Sequence, residues 1–315
     1  MAHIESIDKH DTELLRRIEN LIKSFQGLVK DAVGSDKEES LVYGLRAIVT
    51  LANMVLRGDD IFGIEPWHVL ADDVPLSQPG EMLLRLKDYK GKHMPPYPAI
   101  MAFYESGYTA EIDGILFLAA LGQFIRSEEK QVSINISARS LRDPDFVRCT
   151  LDRLETLECA EDEKIIIEIH ESTPNLTMSR HVLALYKKFG VAFALDDVGL
   201  NMNDIMRLAE FDQLASFIKI DRHAVCAVDG ASNSLQEVVN FVHKFMPEVV
   251  MVAEGVQDAE HALAIKDRFP EIHYVQGLYL PENRKKFQME MHNASVRLQT
   301  EGDEGIVNVG GLNRP

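Results

Sequence analysis

Between residues 12 and 33, Leu14, Leu15, Ile18, Leu21, Ile22, Phe25, Leu28 and Val29 recur at steps of three and four, with charged residues between them. That period places the apolar side chains on one face of an α-helix, which Gly34 ends. Ser35 and Glu38 have the spacing of a capping box opening a second helix, which runs through Leu56 and stops near Gly58. The pair reads as a helical hairpin. Such a hairpin is either a packing appendage of the main domain or a dimerising, signal-receiving element, and the pattern fits both.

Beyond residue 60 the period changes. Short apolar runs appear at 131–137, 164–170, 191–197, 217–221, 248–254 and 273–280, with helical patterns such as 178–189 and 234–245 between them. The runs begin about 25 to 33 residues apart, the length of a βα unit, so they predict a parallel α/β sheet, either a barrel or doubly wound. Nearly every run carries a polar group near its C-terminal end: Asn135, Glu168, Asp196 with Asp197, Lys219, Glu254 and Gln276. A single carboxylate there is usually a helix cap. Six successive strands ending in compatible polar groups favour a β/α barrel, whose strand C-termini converge on one active-site face.

Composition narrows the partners. Of 315 residues, 46% are hydrophobic, which rules out wholesale disorder. Lys and Arg number 33 against 50 Asp and Glu, a net charge of −17, so duplex nucleic acid is excluded as a partner. The three cysteines show no zinc or CxxC spacing, which fits a reducing cytoplasm. The opening MAHIESIDKHD is too polar for a secretory signal. The most apolar stretch, Leu41 to Leu56, has 16 residues and contains Arg46, so no membrane span is expected.

Glu168, Asp196, Asp197 and Glu254, with the carbonyl oxygen of Asn135, form an all-oxygen donor set. Hard cations such as Mg²⁺ or Mn²⁺ prefer it, whereas zinc and copper would call for His or Cys. Adjacent carboxylates allow two ions, the usual arrangement for in-line attack on a phosphodiester. Lys219 would orient or deprotonate the attacking water or neutralise phosphate charge, and Gln276 would position. The alternative is a buried ion-pair network around Lys219, which leaves surplus negative charge uncompensated. Trp67, beside Pro66, reads as core rather than as a base-stacking platform.

These residues fall within a series of motifs: GEMLLRL (80–86), SINIS (133–137), EIHES (168–172), LDDVG (195–199), KID (219–221), AEGV (253–256) and VQG (275–277). In order and spacing, the segment from about Phe62 to Arg284 resembles the EAL domain of bacterial cyclic di-GMP phosphodiesterases. The resemblance implies a modified TIM-type (β/α)8 barrel with one antiparallel strand. On this reading the hairpin is residues 1–58, the barrel 59–290, and 291–315 a mobile C-terminal tail. It further implies a homodimer that hydrolyses cyclic di-GMP to linear pGpG with Mg²⁺ or Mn²⁺, two ions in all. Glu81, Asn135, Glu168, Asp196 and Asp197 become the metal ligands and Arg85 a contact to ligand phosphate. Lys219, Glu254 and Gln276 become catalytic, with Glu171 bracing a catalytic loop.

The chain also departs from the family. The loop DFGTGYSSL reads DVGLNMNDI (197–205), losing aromatic side chains and one of its two glycines. A left-handed position at 200–201 is easier for Asn201 than for most residues. With Val198 in place of Phe and Leu200-Asn201 in place of Thr-Gly, the loop is expected to hold Asp197 loosely, bind a second ion weakly and slow hydrolysis. Glu65 replaces a Gln and adds an anion at the ligand edge. These changes keep open a weak or inactive receptor that binds cyclic di-GMP or a protein partner, the latter through the N-terminal helices.

Overall fold

The structure, a computed structural model, describes residues 2–71, 78–157, 164–169, 180–199, 201–226 and 234–309, and for 2–11, 202 and 298–309 it describes the backbone alone. Glu171, His170 and Leu200 lie outside the described residues. The chain divides into two compact units, Met1–Glu65 with Pro79–Phe193 and Pro66–Gln78 with Ala194–Pro315.

In the first unit, α1 (Ala2–Asp31) and α2 (Glu38–Arg57) form the expected hairpin. It is no loose appendage. Leu14, Ile18, Leu21 and Phe25 of α1 and Leu41, Ile48, Leu51 and Met54 of α2 are buried, with α1 packed on α2 and α4 (Thr109–Arg126) and α2 on α3 (Pro96–Glu105). The capping box is not formed as expected. Lys37 is the N-cap and makes no side-chain cap; Gly34, at φ +78°, turns its N–H onto the Glu38 carboxylate at 2.7 Å. The 20-residue α2 is long and apolar enough to cross a membrane, with mean hydropathy 1.3, but its buried face is spent on α1 and α3.

The strands of this unit are β1 (Phe62–Pro66), β3 (Gly80–Leu84), β4 (Gln131–Ile136) and β5 (Lys164–Ile169). The β3–β4 and β4–β5 pairs are parallel, and Asn135 lies opposite Glu168. Between strands run α3 and α4, then α5 (Pro144–Glu155), with α6 (Arg180–Lys188) after β5. Near-continuous apolar burial along β4 and β5 is the pattern of parallel strands covered on both faces.

The second unit opens with β2 (His68–Val69), which runs antiparallel to β9 (Ile272–Val275). Its parallel strands are β6 (Ala192–Val198), β7 (Phe217–Ile220), β8 (Val250–Ala253) and β9. Helices α7 (Met202–Glu210), α8 (Arg222–Cys226), α9 (Ser234–Phe245) and α10 (Ala259–Arg268) lie between them in sequence. Trp67 is fully buried, 5.4 Å from Phe217 and 6.1 Å from Tyr274 between ring centroids, so it is core. The tail expected from 291 is corrected: α11 (Arg284–Val309) runs through that boundary, packs on α10 and buries Phe287, Met291 and Ala294. That three-four apolar spacing was hidden by the polar residues around it.

Candidate functional site

The polar residues at the strand ends form one cluster in each unit. In the first unit, Glu81 sits on β3, Asn135 on β4 and Glu168 on β5, with Glu168 wholly buried. Asn135 donates from Nδ2 to Glu81 Oε1 at 2.6 Å, a bond that engages its amide nitrogen and not its carbonyl oxygen. Arg85 directly follows β3; its stem lies over Gly63 of β1, where an added Cβ would come within 3.1 Å of Cγ.

In the second unit, the Lys219 ammonium lies 2.7 Å from Glu254 Oε1 and 3.2 Å from Asp196 Oδ1, with the lysine side chain 1% exposed. Trp67 lies beneath it, 5.9 Å from ring centroid to Nζ. Oxygens of Asp196, Asp197 and Glu254 lie within 4.8 Å of one another. On a regular strand, Asp196 and Asp197 would point to opposite faces. Here the β6–β7 register shifts: Leu195 pairs with Ile218 and Val198 with Ile220, so one residue is extra. Asp197 takes φ +52° within that bulge. A bulge re-aims side chains, and this one brings two consecutive carboxylates into one group. The left-handed backbone at a non-glycine costs roughly 1–3 kcal/mol and persists only where surroundings enforce it.

Those surroundings are the residues after the bulge. Gly199 N–H donates to Asp204 Oδ2 at 2.9 Å, and Asn201 Nδ2 donates to the same oxygen at 2.6 Å. Asp204 N–H returns a bond to Asn201 Oδ1 at 3.1 Å, which caps α7. Arg207 lies 3.4 Å from Asp204 Oδ1 and donates from Nη2 to the Asp196 carbonyl at 3.0 Å. Among the described residues these bonds tie the loop to the bulge; Asn201 has φ −74°, and Asp197 takes the left-handed backbone. Val198 is fully buried and its carbonyl accepts from Asp221 N–H at 3.1 Å. The sequence reading missed Asp204 and Arg207, although Asn201 and Asp204 stand at capping-box spacing.

Gln276 follows β9, with its N–H on the Ala253 carbonyl at 2.9 Å, and its own carbonyl accepts from Val256 N–H at 3.0 Å. Glycine is required beside it: a Cβ at Gly277 would lie 1.9 Å from the Val256 carbonyl oxygen.

The donors fit a hard divalent cation. Asp196, Asp197 and Glu254 bring three carboxylates against the one cation of Lys219, so the cluster keeps negative charge for a metal ion. Asp196 Oδ1 is buried and makes no hydrogen bond beyond its ion pair.

Comparison with known proteins gives three results. The family model for the EAL domain matches residues 78–282. No functionally curated protein is similar enough in sequence to count as a match. Solved structures are similar in fold. The FimX EAL domain of Pseudomonas aeruginosa bound to c-di-GMP has TM-score 0.61 at 20% identity, over 74% of this chain and 94% of that one. An EAL domain protein of Listeria monocytogenes has TM-score 0.59 at 21% identity, over 73% and 91%. The phosphodiesterase PaMucR in complex with c-di-GMP has TM-score 0.57 at 20% identity, over 75% and 96%. The fold is therefore the modified (β/α)8 barrel that the family resemblance implies, preceded by N-terminal helices.

Proposed function

Since the chain belongs to the EAL domain family, we propose that it is a metal-dependent phosphodiesterase that hydrolyses cyclic di-GMP to linear pGpG. The observation that carries this reading is the buried Lys219 ammonium between Asp196 and Glu254, with Asp197 brought into the same group. Glu81, Asn135, Glu168, Asp196 and Asp197 would hold Mg²⁺ or Mn²⁺, two ions in all. Bound there, the metal supplies Lewis-acid polarisation of phosphoryl and water oxygens.

The chain's own groups do the rest. Lys219 orients the attacking water and neutralises phosphate charge, and Glu254 fixes the ammonium through their 2.7 Å contact. The water oxygen bonds to phosphorus, the bond to the 3′ oxygen breaks, and a proton passes to the departing oxygen. Arg85 contacts the phosphate, Gln276 positions, and Glu171 braces the loop. We further propose a cytoplasmic homodimer in which the N-terminal hairpin offers a surface to a protein partner. The solved c-di-GMP complexes of FimX and PaMucR support cyclic di-GMP as the ligand.

The test is incubation of the full chain with cyclic di-GMP and Mn²⁺, following pGpG by chromatography, with binding measured in Ca²⁺. Formation of pGpG is the expected result. Binding without turnover would replace the enzyme with a receptor, a reading that the extra anion at Glu65 favours; neither would leave a protein-binding adaptor.

A further inference from the structure

We propose that Asn201, Asp204 and Arg207 form a clamp that holds the Asp196–Asp197 bulge and thereby tunes this chain's affinity for divalent cations. The inference deepens the metal-dependent reading above and rests on it. Three observations carry it. The bulge and the left-handed Asp197 put two consecutive carboxylates in one group, a geometry that a strand does not adopt unaided. Arg207 donates at 3.0 Å to the carbonyl of Asp196, inside the bulge itself. Asp204 is 1% exposed, and such a carboxylate needs a structural reason: it receives Gly199 N–H at 2.9 Å and Asn201 Nδ2 at 2.6 Å and holds Arg207 at 3.4 Å.

The clamp therefore grips the bulge from both ends, at the Asp196 carbonyl and at the Gly199 N–H. Arg207 also brings positive charge beside the carboxylate group and offsets the buried Asp204, so the three residues place the ligands without joining them. They are positioning residues. Hydrogen-bonded partners behind metal ligands are commonly worth 10–100-fold in metal affinity. The sequence suggests that restoring the family loop with Val198→Phe, Leu200→Thr and Asn201→Gly raises turnover. The clamp predicts the reverse for position 201, because Asn201→Gly removes both the cap of α7 and a bond to Asp204.

The experiment is Mn²⁺ titration of the full chain by calorimetry, with the thermal midpoint recorded with and without Mn²⁺. Wild type is compared with Asn201→Gly, Arg207→Ala and Arg207→Lys. Arg207→Ala is expected to lose about 10–100-fold in Mn²⁺ affinity and most of the metal-induced rise in thermal midpoint. Asn201→Gly should lose part of both, and Arg207→Lys should recover part of the affinity by donating to the Asp196 carbonyl. A merely structural role would lower the metal-free midpoint and leave the Mn²⁺ affinity of the folded protein unchanged, which overturns the clamp. Should Arg207→Ala fail to fold, Asn201→Gly and Arg207→Lys decide by the same criterion. Wild type that binds no Mn²⁺ overturns the clamp and the metal-dependent reading together. Clamp-dependent Mn²⁺ binding in a protein that forms no pGpG keeps the clamp and removes only the enzyme.

Discussion

Asp197 and Gly277 show how single backbone positions set the chemistry of the second unit. At Asp197 a left-handed conformation is tolerated because Asp is among the few non-glycine residues that visit it without severe cost. At Gly277 no alternative exists, since the Val256 carbonyl occupies the place of a side chain at 1.9 Å. Gly277→Ala must push apart the β8 and β9 ends that carry Glu254 and Gln276. We expect a stability loss of about 3 kcal/mol or more, on the scale of strained-backbone and overpacking substitutions. We also expect weaker cyclic di-GMP binding, because Gln276 is displaced. Urea unfolding and ligand titration of the variant check both; unchanged midpoint and affinity would show that the strand ends yield without consequence.

At the scale of elements, the sequence was most legible where the period of the pattern is strict. The run at 131–137 became β4 at Gln131–Ile136, that at 164–170 became β5 at Lys164–Ile169, and 234–245 became α9 at Ser234–Phe245. Apolar runs at βα spacing leave few alternatives to parallel strands. That α11 runs through the expected boundary at 291 was not legible, because the buried positions Met291 and Ala294 are sparse among charged and amide side chains, and burial against α10 is a tertiary fact. The bonds of Asp204 and Arg207 were not legible for a related reason. Comparison with the family motif shows what Leu200 and Asn201 remove, but not what Asp204 and Arg207 add three and six residues beyond Asn201. The ligand types at Asp196, Asp197 and Glu254 were legible as chemistry. The one-residue bulge that turns both Asp196 and Asp197 to the same group was not, because alternation along β6 does not reveal it.

At the scale of the whole molecule, each unit buries a titratable group whose protonation opposes the other's. Asp113 is buried in the first unit, where desolvation pushes its carboxyl up to about 6 despite bonds from Ser140 Oγ at 2.6 Å and Ser137 N–H at 2.9 Å. A raised pKa means that its contribution to stability is full below 3.8 and is lost as pH rises through about 6, a change of about 3 kcal/mol. His68 in the second unit stacks 4.2 Å from Phe287, and burial, with Arg284 nearby, lowers it to about 4. Its contribution is full above 6.5 and is lost as pH falls through about 4, again about 3 kcal/mol. Relative to wild type, Asp113→Asn should therefore gain stability as pH rises from 4 to 6, and His68→Asn should lose it. Urea unfolding across that range checks the two opposite slopes; parallel profiles would show that neither group is coupled to folding.

If the Lys219 cluster cleaves a phosphodiester, the rate of pGpG formation in Mn²⁺ must fall when Lys219→Met is compared with wild type. Methionine keeps the apolar length of the side chain over Trp67 and removes the ammonium held by Asp196 and Glu254. A folded variant, checked by its thermal midpoint, is predicted to lose about 10²–10⁴-fold in turnover, the range for a positioned group at the reacting centre. A folded Lys219→Met that forms pGpG at the wild-type rate would show that the Lys219 ammonium has no part in the cleavage.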